Sequence, residues 1–416
     1  MEITQHMYAR VLLRCIGLPE HPRPIFVSAD TDPHAVQFAA IFAEEAFRAG
    51  APICDVAYTD PYVNRARFLH APKGKEVLFP PHVTQRAQDT VDLKGANVAL
   101  YGNAELGVYD GIDPQLPNLQ RSMFFAARKP FHDRQIRYLS PWLVGAVPTE
   151  AWARKLGITV DALWGLIFKV TGIDRDDPIG YLEGTVAALK RRTERLNKLG
   201  IRTLHFQGLG TELRVGLSER ARWLGGAKQA EDGVWFVSNW PTFEVFTTPD
   251  WRSVTGHVAI TKPCVVSGNV AQGLRLKIEG GEIVALAAEA GQNAYERLVA
   301  TEDSLDTTAP KFRGARRLGE VALVGGSPVA QAGTLFYSTL FDENAACHIA
   351  TGSAYVGALE GASAMSPAKL AEIGCNQSDT HHDIMISDSE TDVFALCADG
   401  RRVQVIEGGQ WTPEFA

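Results

Sequence analysis

Residues 25–58 read IFVSADTDPHAVQFAAIFAEEAFRAGAPICDVAY, and the change of hydrophobic period along them decides the N-terminal fold. Ile25 to Ala29 is a short, largely apolar run of the kind that forms a buried strand. Asp32-Pro33 then supplies a cap and a first-turn proline, and a helical period follows, with Val36, Ala40, Ala43 and Phe47 on one face and Gly50 at its end. Ala51 to Tyr58 returns to strand character, and Asn97 to Tyr101 offers a third strand. Strand, helix and strand in that order call for right-handed crossovers, so an open α/β layer built from βαβ units is expected. Its first strand-to-helix turn has no phosphate-binding glycines, and Gly208-Leu209-Gly210 lacks the third glycine of a dinucleotide fingerprint.

Working outward, a second helix opens at Asp177-Pro178 and carries Leu182, Val186, Leu189 and Leu196 on a stripe before Gly200. Beyond it the pattern becomes short alternating strands. Leu274, Leu276 and Ile278 turn at Gly280-Gly281 into Ile283 and Ala285, Val393 to Cys397 turns at Asp399-Gly400 into Val403 and Val405, and Gly408-Gly409 leads into Trp411. The expected architecture has two domains. An N-terminal α/β domain covers 1–200, and a C-terminal α+β domain rich in antiparallel strands covers 201–416 and carries the chemistry.

At 416 residues and 45% apolar content the chain is long enough to bury a large core. A net charge of −7, with no Lys/Arg cluster interleaved with aromatics, speaks against a nucleic-acid partner, and Lys190-Arg191-Arg192 reads as a solvated helix face. No apolar run approaches the roughly 18 residues of a membrane span, and charged residues stand near the start where a leader would be apolar. Six scattered cysteines fit a reducing compartment. A cytoplasmic protein without a membrane partner is expected.

The candidate chemistry lies in the second half. In NWPTFEVFTTP (239–249) one carboxylate, Glu244, stands among Phe243, Val245 and Phe246, and in LGEVALV (318–324) Glu320 is again the single acid in a strand-like stretch. A buried carboxylate is costly unless paired, protonated or bound to a cation, so two isolated acids suggest a shared positive partner. FYSTLFDENAACHIATGSAY (336–355) adds His348, and NQSDTHHDIMI (376–386) adds His381 and Asp383, which completes five candidate ligands. Strand alternation puts His381 and Asp383 on one face and His382 on the other, so His382 is left out.

Imidazole with carboxylate suits divalent Zn, Co, Mn or Fe, whereas an all-oxygen cage would suit Ca or Mg, and no thiolate cluster argues for structural zinc. Three carboxylates and two histidines exceed the needs of one ion. With one bridging carboxylate they would hold two ions about 3.5–4 Å apart, an arrangement for hydrolysing an amide or ester with an activated water. Tyr355 is a candidate donor to a developing oxyanion, a contribution of about 2.7–4 kcal/mol where such donors are removed.

Taken singly, these residues have plainer explanations. One glutamate in an apolar strand is more often a snorkelling or salt-bridged edge residue, and His70, His205 and His257 read as surface or satisfied core histidines. It is the combination that points to metal. Asp342-Glu343-Asn344 fits either turn and capping chemistry or a set of residues that orient the ligands.

The blocks PTFEVFTTPD, RRLGEVALV, LFYSTLFDENAACHIATGSAY and NQSDTHHDIMI resemble the signature blocks of the thermophilic-type metallo-aminopeptidases, the M29 family of aminopeptidases T and S. Weaker similarity in PTEAWA (148–153), ALWGLIF (162–168), RLNKLG (195–200) and GTELRVGL (210–217) extends the resemblance over nearly the whole chain. It implies a dinuclear metal site on Glu244, Glu320, His348, His381 and Asp383, a catalytic Tyr355, and a homodimer with an enclosed active site. Glu320 is counted as catalytic as well as ligating. The chain departs from the family pattern at Phe243, where a second glutamate is usual, in a longer segment at about 293–311, and in the turn at 387–392.

The leading expectation is a cytoplasmic metallo-aminopeptidase that releases N-terminal residues from short peptides, with two divalent ions (Zn, Co or Mn). The loss of an acid at Phe243 raises an alternative, a hydrolase of a non-peptide amide or aromatic substrate. A further alternative uses His348, His381 and Asp383 alone as the facial set of a mononuclear Fe(II) ring-cleaving dioxygenase. A non-catalytic binding protein is the third class, disfavoured by the retained ligand set.

Overall fold

The computed structural model describes residues 2–102, 108–113, 115–266, 269–300 and 314–416, so the lengthened segment at 293–311 lies partly outside the described residues. The chain divides into two compact units, Met1–Gly184 with Ala227–Pro241, and Thr185–Gly226 with Thr242–Ala416. The helix Pro178–Leu199 therefore runs from one into the other. Among the described residues no helix is long and apolar enough to cross a membrane.

The first unit begins with α1 (Glu2–Cys15), β1 (Ile25–Asp30), α2 (Pro33–Arg48), β2 (Cys54–Thr59), β3 (Ala96–Tyr101) and β4 (Trp142–Ala146). Its parallel sheet has the order β2-β1-β3-β4, followed by the short strand Asn239–Trp240. The α2 start follows the sequence signals, since the Asp32 carboxylate accepts the His34 N–H at 2.9 Å and Pro33 occupies the first turn. The buried face of α2 is a different one from the stripe read in the sequence. Phe38, Ala39, Phe42 and Ala46 are buried, whereas Val36 and Phe47 are 39% and 54% exposed. The helix is apolar on both sides, and the side with two phenylalanines removes more area from water. That side meets α1, where Tyr8 packs on Phe38 with ring centroids 5.5 Å apart and donates its hydroxyl to the Ala146 carbonyl.

The second unit contains β5 (Ile201–Gly208), β6 (Thr211–Leu217), β7 (Val245–Thr247), β8 (Pro249–Ala259), β9 (Arg275–Glu279), β10 (Glu282–Ala287), β11 (Leu318–Leu323), β12 (His348–Gly352), β13 (His381–Met385), β14 (Asp392–Cys397), β15 (Arg402–Glu407) and β16 (Gln410–Trp411). Eight of these form one antiparallel sheet, β10-β9-β8-β6-β5-β14-β15-β16, which includes the three hairpins expected at Gly280-Gly281, Asp399-Gly400 and Gly408-Gly409. Strict alternation is visible in β9, where Leu276 and Ile278 are buried between exposed Arg275, Lys277 and Glu279. A second antiparallel sheet, β7-β11-β12-β13, supplies Val321, Leu323, Ile349 and Ile384 to the same core as Leu213, Val215, Leu276 and Val393 of the large sheet. One face of the smaller sheet is thereby committed to the core. Its other face is where the polar residues gather.

Candidate metal centre

Register places the site. Glu320 of β11 pairs with Ala350 of β12, which pairs with Asp383 of β13, so one row across three strands has a methyl group between two carboxylates. His348 lies two residues from Ala350, and His381 two residues from Asp383, so all four functional side chains share that face. Glu320 reaches it through a bulge at Gly319, where the register shifts between Leu318 and Glu320. Leu318, Val321 and Leu323 then stay in the core while Glu320 and Ala322 turn to the site. Gly319 is required there, since a Cβ would lie 2.4 Å from the Gly352 and Ser353 carbonyl oxygens. Glu244 enters from the residue preceding β7.

The ligating atoms of Glu244, Glu320 and His348 lie within 4.8 Å of one another, and so do those of Glu320, His381 and Asp383. Glu320 is common to both triads. His348 Nε2 is 3.1 Å from Glu244 Oε2, and His381 Nε2 is 3.2 Å from Glu320 Oε2 and 3.4 Å from Asp383 Oδ1. Each ring is anchored on its other side, with Nδ1 of His348 3.2 Å from the Ala346 carbonyl and Nδ1 of His381 2.8 Å from the Ser353 carbonyl. An Nδ1–H held by a carbonyl leaves Nε2 free to ligate.

Burial opposes charge on both imidazoles, yet the neighbouring carboxylates outweigh it and hold them well above the ordinary histidine value, through Glu244 at His348 and Asp383 and Glu320 at His381. Burial raises the Asp383 carboxyl too, but the charge and hydrogen bond of His381 prevail and hold it at about 2. Glu320 is raised by burial, with His381 only partly offsetting.

Glu343 is a residue the sequence left ambiguous. It is 9% exposed and raised well above the carboxylate range by burial and by the charges of Glu244 and Asp383. The run around it divides by role. Asp342 accepts the Phe336 and Ser338 N–H groups at 2.8 and 2.9 Å as a turn residue, Glu343 is buried within reach of the charges of Glu244 and Asp383, and Asn344 accepts the Phe243 N–H at 2.6 Å. Two adjacent acids embedded in an otherwise apolar block were the available signal. Tyr355 stacks edge-on against His381 with centroids 5.1 Å apart and lies 5.2 Å from Phe246. His382 lies on the opposite face against Tyr295, at 5.7 Å. His70 and His257 are exposed and His205 is bonded to Glu212, all apart from the site.

The donor set fits divalent cations. Three carboxylates, Glu244, Glu320 and Asp383, meet two imidazoles in a mostly buried cluster, a mixed oxygen and nitrogen donor set of the kind divalent transition metals take. His348 falls in one triad and His381 with Asp383 in the other, so the single-iron facial set is not favoured.

A sheet-borne cluster of this kind defines a metal-dependent hydrolase, and the family agrees: the model for the thermophilic metalloproteases (M29) matches residues 2–411, and the chain belongs to that family. Among its relatives are aminopeptidase T of Thermus aquaticus, 34% identical over 384 residues (91% of each chain), and aminopeptidase PepS of Streptococcus thermophilus, 31% identical over 393 residues (92% of each chain). The solved structure of wild-type AmpT from Thermus thermophilus superposes with a TM-score of 0.88 at 32% identity, covering 99% of this chain and all of that one.

Proposed function

We propose that this chain, a metal-dependent aminopeptidase, works through a dinuclear centre in which Glu244, Glu320 and His348 hold one divalent ion and Glu320, His381 and Asp383 the other. The observation that carries this reading is that Glu320 belongs to both triads. Two ions also suit a set of three carboxylates and two imidazoles, more donors than one ion needs. When bound, Zn, Co or Mn would polarise the scissile carbonyl and lower the pKa of a bound water towards roughly 7.

The protein's own residues do the rest. Glu320 and Asp383 keep anionic oxygens at fixed positions, and the carbonyls of Ala346 and Ser353 fix the two imidazole planes. Glu343, buried and close enough to feel the charges of Glu244 and Asp383, would regain its charge beside a cation, such as the free amine of a short peptide or an ion. Tyr355, held between Phe246 and His381, donates its phenol proton to the oxygen that gains charge as the peptide carbon becomes tetrahedral.

We place the protein in the cytoplasm, which six free cysteines support, and read it as a homodimer, with the exposed Val36 and Phe47 stripe as open apolar surface. The test is elemental analysis of protein purified without chelators, with leucine-anilide hydrolysis assayed before and after Co, Zn or Mn addition. Two ions per chain with metal-dependent hydrolysis is the expected result. One iron per chain with oxygen uptake would overturn it.

A further inference from the structure

We infer that two buried asparagines outside the ligand set, Asn344 and Asn376, are positioning residues, Asn344 acting chiefly on the His348 half of the metal site and Asn376 chiefly on the His381 half. The inference rests on the dinuclear reading above.

Asn376 is 3% exposed and sits where three chain segments converge. Its Nδ2 donates to the Gly352 carbonyl at 2.5 Å and the Gly314 carbonyl at 2.8 Å, with the Arg317 carbonyl at 3.3 Å sharing a proton, and its own backbone carbonyl accepts the Ala354 N–H at 3.1 Å. Between Gly352 and Ala354 lies Ser353, the residue whose carbonyl fixes the His381 ring. The same corner is tied to Arg317, ahead of the Glu320 bulge, by the Gly352 N–H at 2.8 Å, and to Thr380, next to His381, by the Ser353 N–H at 2.6 Å. One amide group therefore sets the carbonyl that orients His381. Gly352 has φ +103°, and a Cβ there would lie 2.1 Å from the Thr380 carbonyl, so the corner has no slack with which to recover its position.

Asn344 serves the other half. It is fully buried, accepts the Phe243 N–H at 2.6 Å and donates to the Leu340 carbonyl at 3.0 Å, while its own carbonyl accepts the Ser327 hydroxyl. The residue after Phe243 is Glu244, and the residue before Asn344 is Glu343. This side chain thus ties the segment that bears Glu244, a member of the His348 triad, to the segment that bears Glu343. Neither asparagine is placed to touch substrate, and each acts on the ligands through backbone groups.

The test separates the halves. Metal-free protein is titrated with Co(II) against a competing chelator, following the visible absorption of the bound ion. Glu244→Ala is the background that leaves the His381 half, and Asp383→Ala the background that leaves the His348 half. Asn376→Ala should weaken Co(II) about 10–100-fold in the first background and by a clearly smaller factor in the second, which it reaches only through the shared Glu320, with Asn344→Ala doing the reverse. General destabilisation would move both backgrounds together, so equal weakening in both, or none in either, overturns the inference. If an alanine variant does not accumulate as folded protein, Asn→Ser at the same position, which keeps a small polar group, carries the same comparison. Wild-type protein that takes up no Co(II) would instead refute the dinuclear reading, and that result is recorded before any asparagine is changed.

Discussion

Glu320→Gln replaces a carboxylate that both triads share with a neutral amide of nearly the same shape. Glu320 is 3% exposed, and its Oε2 lies 3.2 Å from His381 Nε2. With an ion bound, Glu320 becomes the charged partner of that buried cation, and removing one partner of a buried charge pair costs about 3–5 kcal/mol. At about 1.4 kcal/mol per decade this is a loss of roughly a hundredfold to a few thousandfold in affinity. Because Glu320 is common to both triads, both ions should weaken together, and turnover should fall with them. The metal-free protein should respond differently. Burial, and then the charges of Glu244 and Asp383, act against an ionised Glu320 and exceed what His381 restores, so a neutral amide leaves the apo fold as stable as before or more so. The assay is a chelator-competition titration with Zn or Co, paired with the melting temperature of the chelated protein. A variant with wild-type affinity and turnover, or one that loses a single ion while the other binds as before, would refute the shared-ligand geometry.

Tyr355→Phe should keep its metal content and its ring contacts with Phe246 and His381, while kcat falls about 10²–10³-fold, and unchanged turnover would remove the phenol from the chemistry. Ala350→Leu would fill the space between Glu320 and Asp383, so metal uptake should be lost at a stability cost of about 1–3 kcal/mol, checked by elemental analysis and thermal melts. Glu45 supplies the pH dependence. Burial raises its carboxyl, but hydrogen bonds from Arg10, His6 and Arg48 win and hold it at about 2, below its ordinary 4.5. A carboxyl lowered by folding stabilises above its unfolded value, so on the order of 2 kcal/mol should be lost as pH falls from about 4.5 through about 2. Glu45→Gln should flatten that limb in chemical denaturation measured against pH, and an unchanged slope would show that the ion cluster contributes nothing.

Much of this was readable because hydrophobic period and cap chemistry are local. Asp32-Pro33 marks the α2 start, and Gly280-Gly281, Asp399-Gly400 and Gly408-Gly409 mark their turns, without reference to anything distant. The buried face of α2 was not readable, because both faces are apolar and only the arrival of Tyr8 from α1 selects the one with Phe38 and Phe42. The bulge at Gly319 was equally hidden. Simple alternation from Leu318 puts Glu320 on the core face, and what prevents this is the close approach of the Gly352 and Ser353 carbonyls, more than thirty residues away in sequence. Glu343 stayed ambiguous since an acidic pair beside an asparagine serves turns and sites alike, and the carboxylates that distinguish the two uses come from three other segments.

The small residues of the site face explain why this sheet can hold the cluster at all. Glu320 and Asp383 are separated by Ala350, His381 stands beside Gly352, and His348 stands beside Ala322. Strands lie about 4.8 Å apart, so two side chains separated by one intervening strand can meet above the sheet only if the residue between them is short. The opposite face bears Val321, Leu323, Ile349 and Ile384, which are fully buried in the shared core. A slip of one residue in any strand would carry its ligands into that core and its aliphatic side chains into the site, so the apolar face fixes the register and the register fixes the ligand positions. The energy that organises the cluster therefore comes from hydrophobic burial on the far side of the same strands, and the sheet-borne carboxylates Glu320 and Asp383 can remain together despite their mutual repulsion.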